Sequence, residues 1–175
     1  MIEIDFLNLA KMRYSVRKYK NKPVEKEKLL KILEAGRVAP TAANRQPQRI
    51  IIIQTPENLE KLSKATKTFG APLMLVVCGD QEEGWIRPND NKSGLDIDIS
   101  IITTHMMLQA AELGLGSVWI GNFKKELIVQ FCNLPSNIIP LCILAIGYAE
   151  GTPLSPDRHA QMRKPLEQTT FYETM

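Results

Sequence analysis

Residues 95–113 read LDIDISIITTHMMLQAAEL, a segment that is apolar almost all round when it is wound as an α-helix. Asp96 and Asp98 fall in its first turns, where the helix dipole favours acidic side chains, and Gly114 is a typical C-terminal stop. A helix that is apolar on every face is expected to be buried on every side. One domain of 175 residues has little interior to surround about five helical turns. We therefore expect this helix to pack against a second copy of the chain.

Helices and strands alternate on either side of this segment, with no internal repeat and no linker. Leu29, Ile32 and Leu33 form an apolar stripe at helical spacing. The four isoleucines at 50–53 predict a strand that is buried on both faces. The other predicted helices cover 5–13, 25–38, 55–66 and a segment that Asn122 caps and that contains Leu127, Ile128 and Phe131. The predicted strands are 49–54, 73–78, 117–120 and 138–148. This alternation predicts one domain of the α/β type over residues 1–175.

Two segments depart from the alternation. Residues 80–94, DQEEGWIRPNDNKSG, are polar and rich in turn-forming residues, which indicates a long loop that acts as a lid or a binding loop. Trp85 in this loop is either an anchor for the loop or part of the lid. Residues 151–175 contain three of the eleven prolines. We predict that they form an extended C-terminal segment that wraps around a partner.

The composition excludes several classes of protein. Lys plus Arg is 22 and Asp plus Glu is 19, so the net charge of +3 is too small and too dispersed for a nucleic-acid-binding surface. The longest apolar stretch, 138–147, is half as long as a membrane-spanning helix. Glu3 and Asp5 stand where a signal peptide has basic residues. We expect a cytoplasmic domain that binds neither nucleic acid nor membrane.

Cysteine and histidine are too sparse for a metal site. Cys78, Cys132 and Cys142 are an odd number for a disulfide framework, and each lies among apolar neighbours, so we expect buried thiols. The two histidines are His105 and His159. We expect no metal ion and no hydrolytic triad. His105, within the apolar helix, is expected to be a core or interface residue.

The first candidate binding site is the segment RYSVRK at 13–18. In an extended chain Arg13, Ser15 and Arg17 point to the same side. Two guanidinium groups around a hydroxyl make a good clamp for a phosphate, because each can donate two hydrogen bonds to its oxygens and the hydroxyl donates one more. The alternative is a solvated basic turn, and from this segment alone the two interpretations are equally good.

Two further segments bring polar groups or an open backbone to the ends of strands. Residues 39–47, APTAANRQP, contain Thr, Asn and Gln side chains that can pair with a heterocycle or with ribityl hydroxyls. The alternative, which the segment alone favours, is a connection whose polar groups only satisfy the turn. In 118–122, VWIGN, Gly121 allows backbone N–H groups to approach a ligand ring closely. The GLG at 114–116 closes a helix, so it is not a dinucleotide-binding fingerprint.

Four stretches together resemble the nitroreductase family of FMN-dependent oxidoreductases. They are RYSVRKYKNKPV at 13–24, LEAGRVAPTAANRQPQRIIII at 33–53, QAAELGLGSVWIGNF at 109–123 and LAIGYAEGTPLSPDR at 144–158. Their order and spacing are those of the family. The resemblance implies an α+β, three-layer fold in which helices flank a central, mainly antiparallel sheet. It also implies an interlocked homodimer with two FMN molecules in its interface.

The resemblance assigns roles to individual residues. Those implied to hold the phosphate and ribityl of FMN are Arg13, Ser15 and Arg17, with Arg158 as a further phosphate ligand. Tyr14, in the same segment, is implied to bind the cofactor. Those implied to approach the same flavin from the other subunit are Pro40, Thr41, Ala42, Asn44 and Gln46. Those implied to place backbone against the isoalloxazine are Trp119, Ile120 and Gly121, with the Gly121 N–H near N5.

The sequence departs from the family pattern in three places. Gln48 stands where many relatives have an aromatic residue. Segment 80–94 is short, whereas larger relatives have helices there that shape the substrate pocket. Gly121-Asn122 replaces the Glu-Gly of some members. These departures concern the substrate more than FMN.

By the same resemblance, the chain is an enzyme that uses NADH or NADPH to reduce a nitroaromatic, a quinone or a similar small acceptor. FMN would carry the chemistry in a ping-pong mechanism. No side chain has to act as an acid or a base, which agrees with the scarcity of histidine. The alternatives are a relative with flavin-dependent dehydrogenase or dehalogenase chemistry, and a non-catalytic module that senses or stores FMN.

Overall fold

The computed structural model describes residues 5–175, which form six α-helices and four β-strands. The helices are α1 (Phe6–Met12), α2 (Lys26–Arg37), α3 (Pro56–Ser63), α4 (Leu95–Glu112), α5 (Lys125–Cys132) and α6 (His159–Met162). The strands are β1 (Gln48–Ile53), β2 (Leu73–Asp80), β3 (Gly116–Ile120) and β4 (Ile138–Gly147). Short 3-10 turns cover 42–44, 156–158 and 166–168.

The four strands form one sheet in the order β1-β2-β4-β3, and every neighbouring pair is antiparallel. The central strand β2 is buried along its whole length, and β4 is buried along most of it. The antiparallel sheet implied by the family resemblance is confirmed. The α/β class that the alternation of elements suggests is wrong, because all neighbouring strands of the sheet are antiparallel.

Helices cover both faces of the sheet. On one face α3 and α5 pack against a core that includes Val76 and Ile143. On the other face α2 and α4 pack against Leu75 and Leu144. Successive side chains of a strand point to opposite faces, so the unbroken apolar runs of β2 and β4 contribute to both cores. The three-layer architecture is confirmed.

The helices α2 and α4 approach each other closely at Gly36. A β-carbon on Gly36 would stand 2.9 Å from Met106 Cγ, so any side chain there would displace Met106. The apolar stripe predicted for α2 faces the core, because Leu29 and Ile32 are buried. The α2 stripe and this close approach position α4 across the sheet.

One face of α4 is open in the single chain, and the predicted packing of this helix against a second copy stays a prediction. The residues of this face, called here the α4 stripe, are Ile97, Ile101, Thr104, His105 and Leu108. Ile97 is 63% exposed. His105 is also exposed, and its Nδ1 lies 2.8 Å from the Ile101 carbonyl oxygen. A core position for His105 is therefore wrong, and an interface position stays a prediction.

The strand β1 and the helix α3 differ from their predictions. Among residues 5–175, β1 pairs only with β2 and is an edge strand, and Ile52 is 41% exposed, so β1 is not buried on both faces. The helix α3 ends at Ser63 rather than near Thr66. Beyond it the chain tightens, because the N–H groups of Ala65 and Thr66 both donate to the Leu62 carbonyl.

Asn122 does not cap α5, which begins after Lys124. Instead the Asn122 carbonyl accepts a hydrogen bond from Thr66 Oγ1 at 3.1 Å. The segment 151–175 is not wholly extended, because it contains α6 and two 3-10 turns. It is exposed over most of its length, and its wrapping around a partner stays a prediction.

The predicted loop at 80–94 starts one residue later, because Asp80 is the last residue of β2, and part of it is ordered as a hairpin. Its role as a lid or a binding loop stays a prediction. The Arg87 N–H donates to the Lys92 carbonyl at 2.9 Å, and the Gly94 N–H donates to the Trp85 carbonyl at 2.8 Å. We call residues 85–94 the Trp85 hairpin. It ends directly at the first residue of α4.

Two of the three cysteines are buried, as predicted, and Cys132 is partly exposed. Burial raises the pKa of the Cys78 thiol to about 12 and that of Cys142 to about 11. These two thiols therefore stay protonated at neutral pH, as packing groups rather than nucleophiles.

Within the described range 5–175, no helix combines the length and hydrophobicity needed to span a bilayer.

Polar side chains connect α2, the end of α4 and the end of β4. The Tyr148 hydroxyl donates to Glu25 Oε2 at 2.8 Å and accepts from Lys28 Nζ at 3.0 Å. Lys28 Nζ also donates to the Leu113 carbonyl at 2.9 Å, which satisfies the C-terminus of α4. Lys22 pairs with Glu25 and lies 3.9 Å from the centre of the Tyr148 ring. We call this group the Tyr148 cluster.

The Tyr148 cluster predicts how stability changes with acid. The hydrogen bond from Tyr148 is the main reason why the pKa of Glu25 falls from 4.5 to about 2, followed by a backbone hydrogen bond. The resulting stabilisation is complete above pH 4.5 and is lost as the pH falls towards 2. We expect the Tyr148→Phe variant to lose less stability than the wild type over this range, in urea unfolding at each pH.

The matched control is Tyr172→Phe, because the Tyr172 side chain is 92% exposed. This control should keep the wild-type dependence of unfolding free energy on pH. An unchanged pH dependence in Tyr148→Phe would show that the phenol does not stabilise the Glu25 carboxylate.

Candidate functional site

The segment 13–17 runs beside β3. Ser15 forms a parallel bridge with Ser117, and the Val16 N–H donates to the Ser117 carbonyl at 2.9 Å. A β-carbon on Gly116 would stand 2.5 Å from Val16 Cγ2, so only glycine permits this approach. The segment is therefore extended, as its interpretation as a phosphate clamp requires.

The side chains of this segment divide between the core and the surface. Tyr14 packs against the core on the α3 and α5 face of the sheet. Arg13 and Ser15 are half-buried, and Arg17 is exposed, with its Nη1 3.5 Å from the Ser15 carbonyl. The Ser117 Oγ is buried and has no hydrogen-bond partner among the described residues. Polar groups therefore line this strip of backbone.

The C-terminal segment returns to the same place through Arg158. Its Nη2 donates to the Arg13 carbonyl at 2.7 Å, and its Nη1 donates to the Lys11 carbonyl at 3.0 Å. The pKa of Arg13 is lowered by burial and then by the positive charges of Arg158 and Arg163. Arg158 and Arg163 thus place positive charge near the Arg13 guanidinium.

No acidic side chain neutralises this cluster among residues 5–175. The ion pairs in that range involve other arginines and lysines, and none involves Arg13, Arg158 or Arg163. Arg13 and Arg158 are half-buried and Arg163 is exposed. Positive charge without a carboxylate partner is favourable where an anion binds. We call Arg13, Arg158 and Arg163 the arginine cluster.

The second predicted segment, around residues 40–46, is a turn with an unusual backbone. Ala43, Asn44 and Gln46 have φ values of 49°, 53° and 53°. Side-chain-bearing residues adopt this left-handed conformation infrequently, and such residues concentrate at functional sites. We call residues 41–46 the left-handed turn.

Hydrogen bonds hold the left-handed turn from within and from below. The Gln46 N–H donates to Thr41 Oγ1 at 3.0 Å, and Gln46 Nε2 donates to the Asn44 carbonyl at 3.1 Å. The Ala42 N–H donates to Asp98 Oδ1, in the first turn of α4, at 2.8 Å. Asn44 and Gln46 are exposed, as is Pro40 just before the turn. The turn therefore presents amide groups on the surface beside the N-terminus of α4.

The third predicted group, Trp119, Ile120 and Gly121, lies at the end of β3. Trp119 packs on the α4 face of the sheet and Ile120 on the opposite face. Gly121 is exposed, and a β-carbon there would meet nothing within 4 Å. Its backbone is therefore open to a ligand.

A cavity of about 590 Å³ lies beside this backbone. Its walls come from the end of α3 and from residues 120–124. They include the side chains of Lys64, Lys67 and Lys124. The cavity therefore combines open backbone with positive charge.

Within one chain the predicted residues form two separate groups. The left-handed turn is bonded to Asp98 in the first turn of α4. The arginine cluster follows α1, whose Phe6 and Leu9 share a groove with Leu108 and Glu112 at the other end of α4. An α-helix of 18 residues is about 27 Å long. One copy of the chain therefore does not bring the two groups together.

An apolar groove of about 970 Å³ lies on the surface where α1, α2 and α4 meet. The α4 stripe supplies Thr104, His105 and Leu108 to its wall. Leu30 and Val38 of the same wall are more than half exposed. An exposed apolar surface of this kind is typical of protein interfaces.

The sequence matches the Nitroreductase family over residues 10–69 and 60–148, which is most of the chain. The chain belongs to the nitroreductase family. The matched regions contain segment 13–17, the left-handed turn, α4 and the end of β3. Arg158 and Arg163 lie beyond them.

Solved structures of nitroreductase-family proteins have the same fold. A nitroreductase family protein from Clostridium difficile 630 superposes with a TM-score of 0.96 at 51% identity, covering 98% of this chain and 100% of that one. An FMN-dependent nitroreductase from Clostridium difficile R20291 gives a TM-score of 0.80 at 30% identity, covering 97% and 100%. An FMN reductase [NAD(P)H] from Bacillus subtilis is 29% identical over 180 residues, covering 91% of this chain and 70% of the relative.

Several residues of this candidate site could not be identified from the sequence alone. Arg163 reaches the arginine cluster only because the C-terminal segment turns through α6, which its proline-rich sequence did not suggest. Lys64 and Lys67 share a cavity with Ile120 and Asn122 only through the position of the chain after α3. Asp98 is visible in the sequence as an acid in a first helical turn, but its bond to Ala42 is not. No cluster of three His, Cys, Asp or Glu suited to a metal ion occurs in the range 5–175.

Proposed function

We propose that this FMN-dependent NAD(P)H oxidoreductase works as a homodimer that reduces nitroaromatic, quinone or similar small acceptors by a ping-pong mechanism. The observation that carries the proposal is the arginine cluster, which lies without an acidic partner beside the segment that runs along β3. This is the arrangement that the phosphate of FMN requires. The family membership and the FMN-containing relatives support the same cofactor.

The described residues fit FMN along the length of β3. Arg13, Arg158 and Arg163 would hold the phosphate, and Ser15 and Arg17 would face the ribityl chain. From Ser117 to Gly121 the backbone extends about 13 Å. At that distance Gly121 offers open backbone to the ring, with its N–H towards N5. Lys64 and Lys67 at the neighbouring cavity would hold negative charge on the reduced ring.

A second copy of the chain would complete each site. In a two-fold dimer the same patch of both copies meets itself. Antiparallel packing of the two α4 stripes would bring the left-handed turn of one copy towards the arginine cluster of the other. Pro40, Thr41, Ala42, Asn44 and Gln46 would then approach the flavin held by the partner. The separation of the two groups within one chain supports this arrangement.

FMN, when bound, would supply the redox chemistry that links NAD(P)H to the acceptor. The protein binds and orients the cofactor, and it supplies positive charge near the ring. A single open face at Gly121 would serve both substrates, which therefore bind in turn. None of these roles asks a side chain to transfer a proton.

The absorption spectrum of the purified protein tests this function. We expect a yellow protein whose flavin band is bleached by NADH or NADPH without oxygen and is restored by a nitroaromatic or a quinone. A protein that takes up no FMN would refute the cofactor site. Bound FMN that neither nucleotide reduces would indicate a sensing or storage module. Failure of every nitroaromatic and quinone after reduction would favour the dehydrogenase or dehalogenase chemistry.

A further inference from the structure

Asp98 is a buried carboxylate that makes one specific contact outside its own helix. The residue is 1% exposed, and its Oδ1 accepts the Ala42 N–H at 2.8 Å. Its Oδ2 is buried and has no hydrogen-bond partner among the described residues. A buried charge is costly unless it is well placed. The nearby dipole of α4 favours an acid in its first turn, but this does not explain the bond to Ala42.

The contact falls at the start of the most unusual backbone in the molecule. Directly after Ala42, the left-handed turn places Ala43, Asn44 and Gln46 at positive φ. Each residue that holds this conformation costs free energy, so the surroundings have to impose it. Within the turn, hydrogen bonds from Gln46 provide part of the restraint. Asp98 provides a restraint that comes from the rigid helix below.

The Trp85 hairpin meets the turn at the same place. The Asp98 N–H donates to the Gly94 carbonyl at 3.0 Å. A β-carbon on Gly94 would stand 3.3 Å from Trp85 Cε3 and 4.0 Å from Ala42 Cβ. The N-terminus of α4 therefore joins the hairpin, the turn and Asp98 in one packed unit.

We infer that Asp98 is a positioning residue for cofactor binding, which holds the left-handed turn in the conformation that presents Asn44 and Gln46 to FMN in the dimer. The inference rests on the proposed function, since it assigns the turn to the flavin site. Asp98 itself touches no cofactor atom in this assignment. It acts through a charge-assisted hydrogen bond to the backbone of Ala42.

The test compares three variants of the full-length protein after removal and re-addition of FMN. Asp98→Ala removes the acceptor, and we expect it to weaken FMN binding about 10- to 100-fold, the effect of one charge-assisted hydrogen bond. Asp98→Asn keeps an oxygen for the Ala42 N–H, so FMN binding should stay within about fivefold of the wild type. The matched control Asp96→Ala removes the same charge from an exposed position in the same helical turn and should change binding little.

A second readout does not depend on the loaded enzyme. In the FMN-free protein, amide hydrogen exchange of residues 42–46 should become faster in Asp98→Ala and stay unchanged in Asp96→Ala. If Asp98→Ala fails to fold, Ala42→Pro removes the donor from the other side of the same bond. Proline suits this first position of a 3-10 turn, because the preceding Thr41 is extended. Ala42→Pro should weaken FMN binding to the same degree.

The outcomes separate this inference from the proposed function. Asn44→Ala tests whether the turn contacts FMN. Weaker binding in Asn44→Ala, with FMN binding and amide exchange unchanged in Asp98→Ala or Ala42→Pro, would overturn the role of Asp98 alone. If FMN binding is unchanged in Asn44→Ala, in Asp98→Ala and in Ala42→Pro, the assignment of the turn to the flavin site is overturned. The inference about Asp98 is then overturned with it.

Discussion

Replacing Arg13 by alanine should weaken FMN binding about 10- to 100-fold while leaving the fold intact. Arg13 is half-buried, like Arg158, and its pKa is lowered by burial and then by the positive charges of Arg158 and Arg163. Hydrogen bonds to charged groups contribute about 1.5–3 kcal/mol. Arg158 contacts the Arg13 carbonyl rather than its side chain, so this contact survives the substitution. Titration of FMN-free protein by quenching of flavin fluorescence measures the effect.

Two further variants show whether charge or geometry matters at this position. Arg13→Lys keeps the positive charge but loses the planar guanidinium that donates two hydrogen bonds to one phosphate. We therefore expect an affinity for FMN between those of the wild type and Arg13→Ala, with a stronger dependence on salt. Arg37→Ala changes an exposed arginine that is already paired with Glu34 at 2.6 Å, and it should bind FMN normally. Wild-type affinity in Arg13→Ala would remove the arginine cluster from the phosphate site.

Replacing Ile97 by aspartate should separate the dimer and release FMN from both sites. Ile97 is 63% exposed in the single chain and belongs to the α4 stripe. An unpaired carboxylate buried in an apolar interface costs several kcal/mol, so the dissociation constant of the dimer should rise at least about 100-fold. The fold of each copy should be unaffected, because the dipole of α4 favours an acid in its first turn. Analytical ultracentrifugation and the flavin content measure both losses.

Ile86→Asp makes the same change at an exposed isoleucine of the Trp85 hairpin, outside the α4 stripe. This control should remain a dimer with bound FMN. A dimeric Ile97→Asp protein would place the interface elsewhere. A monomeric variant that keeps its FMN would show that one chain suffices for the cofactor site, against the composite arrangement proposed above.

The elements of the fold were predictable where the sequence pattern is strong. The apolar stripe of α2 and the apolar run of β2 predict buried elements, and both elements lie where predicted. The exposure of β1 was not predictable, because four isoleucines look the same in an edge strand as in a central one. Strand order depends on pairing between distant segments, and local pattern does not contain it.

The candidate site was predictable as a set of segments but not as a geometry. The spacing of Arg13, Ser15 and Arg17 permits a phosphate clamp but fits a solvated basic turn equally well, whereas the place of Arg163 in the arginine cluster depends on how α6 folds back. Likewise, Asn44 and Gln46 look like ordinary turn residues until their positive φ values are known. Asp98 lies 56 residues beyond Ala42 in the chain. Only tertiary structure brings such a pair together.

The length of α4 determines the relative orientation and distance of the two groups of residues that form the proposed site. The turn near its first residues and the arginine cluster near its last are rigidly connected through 18 helical residues. Inserting a single residue into this helix would rotate one half by about 100° relative to the other and shift it by about 1.5 Å. The number of residues in the Trp85 hairpin does not affect this orientation, because the hairpin is connected to α4 at one end only. Variation among related enzymes should therefore accumulate in the hairpin, while the residue count of α4 stays constant.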